Sequence, residues 1–263
     1  MEAQSTGRVT LDVRGAVAVV TLDHPKRRNI LSAPMIRGIR HAFDQLEKDT
    51  AVRCAVVTGA GTAFCAGAEL AALERAAGGD FGQVEEIYEG FLRVARSPVV
   101  SIAAVNGPAI GAGVNLALAC DVRLVARSAY FDTRFADMHL HPGGGHVFLL
   151  EQAVGRQVAT MAALFGERLP AELAVRTGLA WEQYDDATLV DEAVRLGDRL
   201  ARHEAVFVRA LTATLRSASA TGSHEAAIAH EAYLQRWSTT RPAFLDGVRA
   251  LREQVERRTR PSS

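Results

Sequence analysis

The sequence predicts a layered α/β domain, and three observations support that prediction. Between residues 9 and 125, short apolar runs typical of buried strands alternate with stretches whose apolar residues recur at the helical period. Turns rich in glycine separate several of these runs. The chain has 263 residues, which is long enough to bury a sizeable core.

The first elements predicted are a β-hairpin, a helix and a buried strand. Residues 9–13 and 17–22 are rich in β-branched side chains and are separated by Arg14-Gly15, a pattern typical of a hairpin. Ser32 as the cap and Pro34 in the first turn predict a helix start. The continuous apolar run at residues 54–58 then predicts the strand.

The middle of the chain continues the alternation. Residues 69–77 and 84–95 predict two helices, separated by a Gly-Gly break, and residues 99–105 predict another buried strand. A short apolar helix and a strand from Val122 are expected to follow. From residue 155 onward the pattern is mostly helical.

Composition limits the classes of function. A formal net charge of zero favours neither nucleic acid nor a polyanionic surface as a partner. Three cysteines without CxxC spacing predict neither a disulfide framework nor a metal site, so we expect a reduced, cytoplasmic protein without a metal. No signal segment opens the chain and no run approaches the ~20 apolar residues that span a bilayer, so no membrane partner is expected.

Two passages of small residues each follow a predicted strand. The first, residues 63–70, reads AFCAGAEL, and the second, residues 104–113, reads AVNGPAIGAG. Glycine at a strand-to-helix turn allows the backbone to approach a ligand closely and leaves N–H groups free to face it. The second passage therefore predicts a backbone site for an anion or oxyanion, with close packing of helix on strand as the alternative.

The order and spacing of these passages resemble the crotonase (enoyl-CoA hydratase/isomerase) superfamily. The basic loop PKRRN at residues 25–29 and the turn PGGG at residues 142–145 extend the resemblance along the whole chain. The resemblance implies a spiral of repeated ββα units, expected at residues 1–195, followed by a helical trimerisation region at residues 196–263. It also implies a homotrimer or hexamer that binds an acyl-CoA thioester and needs no cofactor beyond the coenzyme A of that substrate.

By position, the resemblance assigns the enolate oxyanion hole to the backbone N–H groups of Ala68 and Ala112. Donors that are fixed before the reaction stabilise an oxygen whose negative charge grows in the transition state. The substrate-binding residues expected are Lys26, Arg27, Ala66, Gly67, Glu69, Gly111, Asn115, Phe135, Pro142 and Gly143. Of these, Lys26 and Arg27 belong to the basic loop expected near the phosphates of coenzyme A.

The chain departs from the hydratase pattern at two positions. Typical hydratases deliver water and a proton with two glutamates, and the corresponding positions here carry Asn115 and Phe135. Neither an amide nor a phenyl ring can act as a general base. Ordinary hydratase activity is therefore not expected.

Other titratable residues lie near the second position. The candidate bases are His139, His141 and Asp137, and also His146, which follows the glycine turn. If this segment is extended, the side chains of His139 and His141 lie on the same face.

Three functions fit these observations. The leading hypothesis is an enzyme of the enoyl-CoA hydratase/isomerase type that forms a thioester enolate. The alternatives are a decarboxylase that needs no base and a non-catalytic acyl-CoA-binding protein.

Overall fold

The computed structural model describes residues 7–218 and 221–259, and the contacts divide them after Ala201 into two compact units. In the first unit, the main sheet has six strands in the order β1-β2-β3-β4-β6-β9. Only β1 and β2 pair antiparallel, and each later neighbour is parallel. The strands of this sheet are β1 (Arg8–Arg14), β2 (Val17–Asp23), β3 (Cys54–Gly59), β4 (Val100–Val105), β6 (Val122–Ala126) and β9 (Glu182–Tyr184).

The predicted hairpin is confirmed. Arg14 pairs with Val17 at its closed end, and Gly15 in the turn has a φ of +62°, a value that glycine adopts without strain. The strands β3 and β4 are the continuous apolar runs of the sequence, and β3 is buried at every position. Such strands are expected where a parallel sheet is covered on both faces.

Helices cover the sheet. The helices of the first unit are α1 (Ala33–Lys48), α2 (Leu70–Ala77), α3 (Gly82–Arg96), α4 (Ala112–Leu118), α5 (His146–Ala163), α6 (Ala171–Arg176) and α7 (Leu189–Asp198). The second unit contains α8 (Ala205–Ser217), α9 (His224–Thr239) and α10 (Pro242–Thr259). As predicted, Ser32 precedes α1 and Pro34 lies in its first turn, although the hydroxyl of Ser32 forms no cap hydrogen bond.

Three short strands form a second sheet that the sequence analysis did not predict. They are β5 (Ala109–Ile110), β7 (Tyr130–Asp132) and β8 (Leu169–Pro170), in the order β5-β7-β8. Strands of two or three residues are too short to show an alternating pattern. This sheet fixes the start of α4, because the Gly111 N–H donates to the Asp132 carbonyl over 2.9 Å.

The segment before the Pro142 turn is folded rather than extended. Residues Ala136–Met138 form a single 3-10 turn, and His139 ends it in the left-handed region at a φ of +51°. The prediction that His139 and His141 share a face required an extended segment. Because the segment is folded, that prediction no longer holds.

The last helix of the first unit packs on the sheet. α7 contacts β2, β3 and β4, and a Cβ on Gly197 would lie 3.0 Å from the Cys54 Sγ. The boundary expected after residue 195 falls inside this helix. The contacts divide the chain into its two compact units between Ala201 and Arg202.

Candidate active site

The two glycine passages are joined directly by backbone contacts. The N–H groups of Phe64 and Cys65 both donate to the Pro108 carbonyl over 3.2 Å, and the Ile110 N–H donates to the Cys65 carbonyl over 2.9 Å. A Cβ on Gly113 would lie only 2.1 Å from that same carbonyl oxygen. Glycine at residue 113 therefore allows α4 to lie against the first passage.

The predicted oxyanion donors are free. Within residues 7–218 and 221–259, no acceptor is recorded for the backbone N–H of Ala68 or of Ala112. Ala112 is the first residue of α4, where a helix leaves its N–H groups without intrahelical partners. Gly67 has a φ of +89°, and a Cβ there would lie 2.5 Å from the Ile110 carbonyl oxygen and 3.3 Å from the Ala112 nitrogen. A side chain at residue 67 would therefore occupy the space beside the second donor.

The basic loop is fixed to the first passage by a buried asparagine. Asn29 is fully buried in the left-handed region, at a φ of +56°. Its Nδ2 donates to the Ala60 and Ala63 carbonyls over 2.9 and 2.8 Å, and its Oδ1 accepts from the His24 N–H. The Ala66 N–H donates to the Arg28 carbonyl over 2.9 Å. These bonds hold the basic loop beside the oxyanion donors.

Ala68 and Ala112 both line one cavity of about 640 Å³. Eight of the predicted site residues line this cavity: Arg27, Ala66, Gly67, Ala68, Glu69, Gly111, Ala112 and Asp137. The remaining predicted residues do not line it: Lys26, Asn115, Phe135, His139, His141, Pro142 and Gly143. The cavity also has an apolar lining that the sequence analysis did not identify, which includes Ile30, Leu70, Leu73, Ile110, Met138 and Leu140.

Arg134 is a charged lining residue that the sequence analysis also missed. It adopts a φ of +57° and forms an ion pair with Asp132 over 2.6 Å, and Arg168 pairs with the same carboxylate over 3.1 Å. Burial raises the pKa of Asp132, but the hydrogen bonds and charges of the two arginines lower that pKa further, below its ordinary value. Asp132 therefore stays ionised and holds Arg134 in the cavity wall.

Three side chains from different elements, none of which lines the cavity, converge. Asn115 Nδ2 donates to the Gly143 carbonyl over 3.0 Å, and its Oδ1 lies 2.5 Å from His146 Nδ1. The Phe135 ring contacts the His146 ring edge-on at a centroid distance of 4.9 Å. Asn115 and His146 are buried, and Phe135 is 8% exposed. Burial lowers the pKa of His146 to about 4.

The other candidate bases are more exposed. The side chains of Asp137, His139 and His141 are all exposed, and His141 Nδ1 lies 2.8 Å from the Pro142 carbonyl oxygen. Asp137 Oδ2 lies 3.8 Å from Arg134 Nε. Asp137 is thus the member of this group that lies on the cavity wall.

A thiol next to the donors is chemically inert. Cys65 is fully buried, and burial raises the pKa of its thiol to about 12. Because the thiolate is the nucleophile, Cys65 does not supply one at neutral pH. Among the described residues, no group of three or more His, Cys, Asp or Glu side chains could hold a metal ion, and no helix has the length and apolarity to cross a membrane.

Comparisons with known proteins agree with this architecture. The model of the family "Enoyl-CoA hydratase/isomerase" matches residues 12–258. The chain is 43% identical over 242 residues to a probable enoyl-CoA hydratase of Mycobacterium tuberculosis, covering 90% of this chain and 94% of that protein. It is 35% identical over 243 residues to the 1,2-epoxyphenylacetyl-CoA isomerase of Escherichia coli, covering 90% and 92%.

A solved structure agrees as well. The crystal structure of a probable enoyl-CoA hydratase/isomerase from Mycobacterium abscessus aligns with a TM-score of 0.84 at 29% identity. The alignment covers 94% of this chain and 95% of that one.

Proposed function

Because the chain belongs to the enoyl-CoA hydratase/isomerase family, we propose that it binds an acyl-CoA thioester and stabilises the enolate of its acyl group. One observation carries the proposal: Ala68 and Ala112, whose backbone N–H groups have no acceptor within the described residues, line the same cavity. Two fixed donors beside a largely apolar wall stabilise an oxyanion more in the transition state than in the ground state.

The basic loop supports the binding half of the proposal. Arg27 lines the cavity from this loop, and Lys26 precedes it. Guanidinium and ammonium groups are the usual protein partners of phosphate oxygens. We assign these two side chains to the phosphates of coenzyme A and the apolar lining near Met138 and Leu140 to the acyl chain.

The reaction we propose is proton transfer at the acyl α-carbon, not hydration. The amide of Asn115 and the ring of Phe135 supply neither the base that activates water nor the acid that returns a proton. The relatives are named both hydratase and isomerase, so their names leave the reaction open.

The experiment is solvent exchange on a panel of acyl-CoA and enoyl-CoA thioesters in heavy water, with deuterium at the α-carbon measured by mass spectrometry. We expect incorporation by the native protein and negligible hydration of the enoyl thioesters. Gly67→Ala places a methyl group 2.5 Å from the Ile110 carbonyl oxygen and 3.3 Å from the Ala112 nitrogen, so the backbone that carries this donor must shift. We expect exchange to slow by about 10²–10³-fold, the usual cost of losing one oxyanion donor.

Gly79→Ala is the matched control. Gly79 has a φ of +94°, close to that of Gly67, but a Cβ there meets nothing within 4 Å. The control therefore carries the same backbone strain without the obstruction, and its exchange rate should match the native rate. Equal rates for Gly67→Ala and Gly79→Ala would contradict the assignment of the oxyanion hole.

The alternatives give different results in the same assay. Release of CO₂ from a malonyl-type thioester, without exchange on any saturated thioester, would indicate a decarboxylase that needs no base. Tight binding without exchange or CO₂ release would indicate a non-catalytic acyl-CoA-binding protein. Either result would replace the proton-transfer proposal.

We also propose that the protein assembles as a homotrimer or hexamer through its second unit. α8 and α9 expose large apolar side chains, among them Leu211, Leu215 and Ile228, and exposed apolar patches of this kind are typical of subunit interfaces. Light scattering coupled to size-exclusion chromatography measures the mass, and a monomer at micromolar concentration would contradict this proposal.

A further inference from the structure

We propose that Arg134 determines which acyl groups this site accepts, by binding a free carboxylate that the acyl group carries. The substrate class is then the CoA thioester of a dicarboxylic acid, in which one carboxyl forms the thioester and the other stays ionised. The inference rests on the proposed function, because it concerns the acyl half of the same cavity. It goes further by naming the chemistry of the acyl group.

The first argument is the position of Arg134. It lies on the wall of the cavity that Ala68 and Ala112 also line. Asp132 connects it to the start of α4: the Asp132 carbonyl accepts from the Gly111 N–H over 2.9 Å, and the Asp132 carboxylate accepts from Arg134 Nη2 over 2.6 Å. One buried residue therefore fixes both the guanidinium and the backbone that leads into the second oxyanion donor.

The second argument is that Arg134 belongs to the segment assigned to the acyl chain. Met138 and Leu140 follow it within six residues and line the same cavity. Arg27, which we assign to a phosphate of coenzyme A, comes from the basic loop instead. An anion held by Arg134 is therefore expected to belong to the acyl group.

The third argument is that one edge of the guanidinium is not used by the fold. Arg134 Nε and Nη2 face the Asp132 carboxylate over 3.4 and 2.6 Å. In the described part of the chain, no acceptor is recorded for Arg134 Nη1. Nη1 and the second N–H of Nη2 are thus left to form the paired hydrogen bonds that a guanidinium makes with a carboxylate.

The fourth argument is the balance of charge. Arg134 and Arg168 both pair with the one buried carboxylate of Asp132, so a net positive charge remains on these three groups. Asp137 Oδ2 lies 3.8 Å from Arg134 Nε, beyond hydrogen-bond distance, and its side chain is 65% exposed, so solvent screens its charge. A carboxylate of the substrate would neutralise the remaining charge inside a largely apolar wall.

The backbone also holds Arg134 at the wall. Its φ of +57° is uncommon for a residue with a side chain. The preceding residue, Thr133, is buried and its Oγ1 donates to the Ala162 carbonyl over 2.8 Å. Such conformations persist where the surrounding structure fixes them, and they cluster at sites that bind ligands.

The test compares thioesters in matched pairs: succinyl-CoA with butyryl-CoA, glutaryl-CoA with pentanoyl-CoA, and adipyl-CoA with hexanoyl-CoA. In each pair a carboxylate replaces a methyl group at equal carbon number, and no carboxylate lies on the α-carbon, so decarboxylation does not interfere. Isothermal titration gives the ratio of the two Kd values. We expect the native protein to bind the dicarboxylic member of at least one pair about tenfold more tightly or better. A native protein that prefers no dicarboxylic member would overturn the proposal.

Arg134→Gln is the direct variant, and its preference for the dicarboxylic member should fall by about 10–100-fold, as expected for lost hydrogen bonds to a charged group. Any unfolded fraction affects both members of a pair equally, so the ratio stays informative in a less stable variant. Arg168→Gln is the matched control, because it removes the same charge from the same carboxylate but does not line the cavity. Its preference should stay within about threefold of native. Equal falls in the two variants would overturn the proposal.

A variant on the other side of the guanidinium keeps the proposal testable if Arg134→Gln does not fold. Asp137→Asn removes a like charge from the cavity wall and should raise the preference for the dicarboxylic member by up to about fivefold. A lower preference in Asp137→Asn would contradict a carboxylate bound beside Arg134.

Free coenzyme A distinguishes an acyl carboxylate from a phosphate as the anion. Arg27→Gln should weaken binding of free coenzyme A, whereas Arg134→Gln should leave that Kd within about twofold of native. Equal weakening by both variants would assign Arg134 to a phosphate and overturn the proposal. Failure of the proposed function is distinguishable: no thioester would then bind or exchange, whereas binding and exchange without preference for a carboxylate would overturn this inference alone.

Discussion

Glu69 Oε1 accepts a hydrogen bond from Arg27 Nη1 over 2.8 Å, which joins the basic loop to the residue before α2. Both side chains line the cavity, and the carboxylate occupies one edge of the guanidinium that we assign to a phosphate of coenzyme A. The Arg27 side chain is 51% exposed, so the pair is a surface interaction worth about 0–1 kcal/mol. A phosphate therefore competes with Glu69 for Arg27.

The first prediction follows from this competition. Glu69→Gln removes the competing charge and should tighten binding of coenzyme A by up to about fivefold, which corresponds to about 1 kcal/mol. Isothermal titration at low salt measures the Kd, and added salt should reduce the difference between variant and native protein. Glu74→Gln, an exposed change of equal charge on α2, is the control. An equal gain in both variants would contradict a specific role for the Arg27–Glu69 pair.

The second prediction concerns the contact between the two glycine passages. Gly113→Ala would place its Cβ 2.1 Å from the Cys65 carbonyl oxygen, and backbone on both sides cannot move without separating the passages. We expect a loss of several kcal/mol in the free energy of unfolding, by analogy with overpacked cores. Urea denaturation followed by circular dichroism measures it.

Gly247→Ala is the control for that measurement. Gly247 is also helical, in α10, but a Cβ there meets nothing within 4 Å. Alanine should then stabilise the helix by up to about 1 kcal/mol through its higher helix propensity. If Gly113→Ala and Gly247→Ala changed the free energy of unfolding equally, the close contact with Cys65 would not be the reason for glycine at residue 113.

The third prediction concerns Asn29. Asn29→Gly keeps the left-handed backbone but removes three hydrogen bonds, and should destabilise the protein by about 2–4 kcal/mol because buried partners lose their hydrogen bonds. Asn29→Ala adds the strain of a positive φ and should cost about 1 kcal/mol more. Thermal unfolding of both variants gives the two terms separately. If alanine were tolerated better than glycine, the argument from backbone strain would be wrong.

The sequence predicted the elements that are long enough to show a period. The structure confirms the hairpin, the strands β3 and β4 and the amphipathic helices α1 and α3. Their apolar residues alternate, run continuously or recur at the helical period, depending on which faces of the element are buried. The strands β5, β7 and β8 have two or three residues and carry no such signal. The sequence also did not predict the 3-10 turn at Ala136–Met138. Arg134 and His139 adopt positive φ values there, and no sequence pattern indicates such values at residues other than glycine.

The candidate site likewise has features that the sequence predicted and features that it did not. Features of the backbone could be predicted from local sequence. The glycine and alanine passages predicted free N–H groups, and Ala68 and Ala112 both line one cavity. Contacts between side chains that tertiary packing brings together could not be predicted from the sequence. The contact between Asn115 and His146 joins residues 31 apart on α4 and α5, and no sequence spacing marks it.

The fourth prediction is a pH dependence that originates in Asp132. Two arginines hold its pKa below the ordinary value in the folded protein, so the folded state binds fewer protons than the unfolded state. The stabilisation is complete above the unfolded pKa of roughly 4 and is lost as the pH falls through the lower, folded-state pKa. Asp132→Asn should cost about 1.5–3 kcal/mol at pH 7, the range for hydrogen bonds to charged groups.

Urea denaturation from pH 7 to about pH 3 tests both the size and the sign. The difference between native protein and Asp132→Asn should be constant near neutrality and shrink toward the acid end, because protonation removes the same charge that the substitution removes. Asp44→Asn is the control: hydrogen bonding to Arg93 also lowers the pKa of Asp44, but that carboxylate is 57% exposed. Its effect should stay below about 1 kcal/mol, since solvent screens a surface pair. A difference for Asp132→Asn that grows as the pH falls would contradict the ionised state of Asp132 and, with it, the assigned position of Arg134 in the cavity wall.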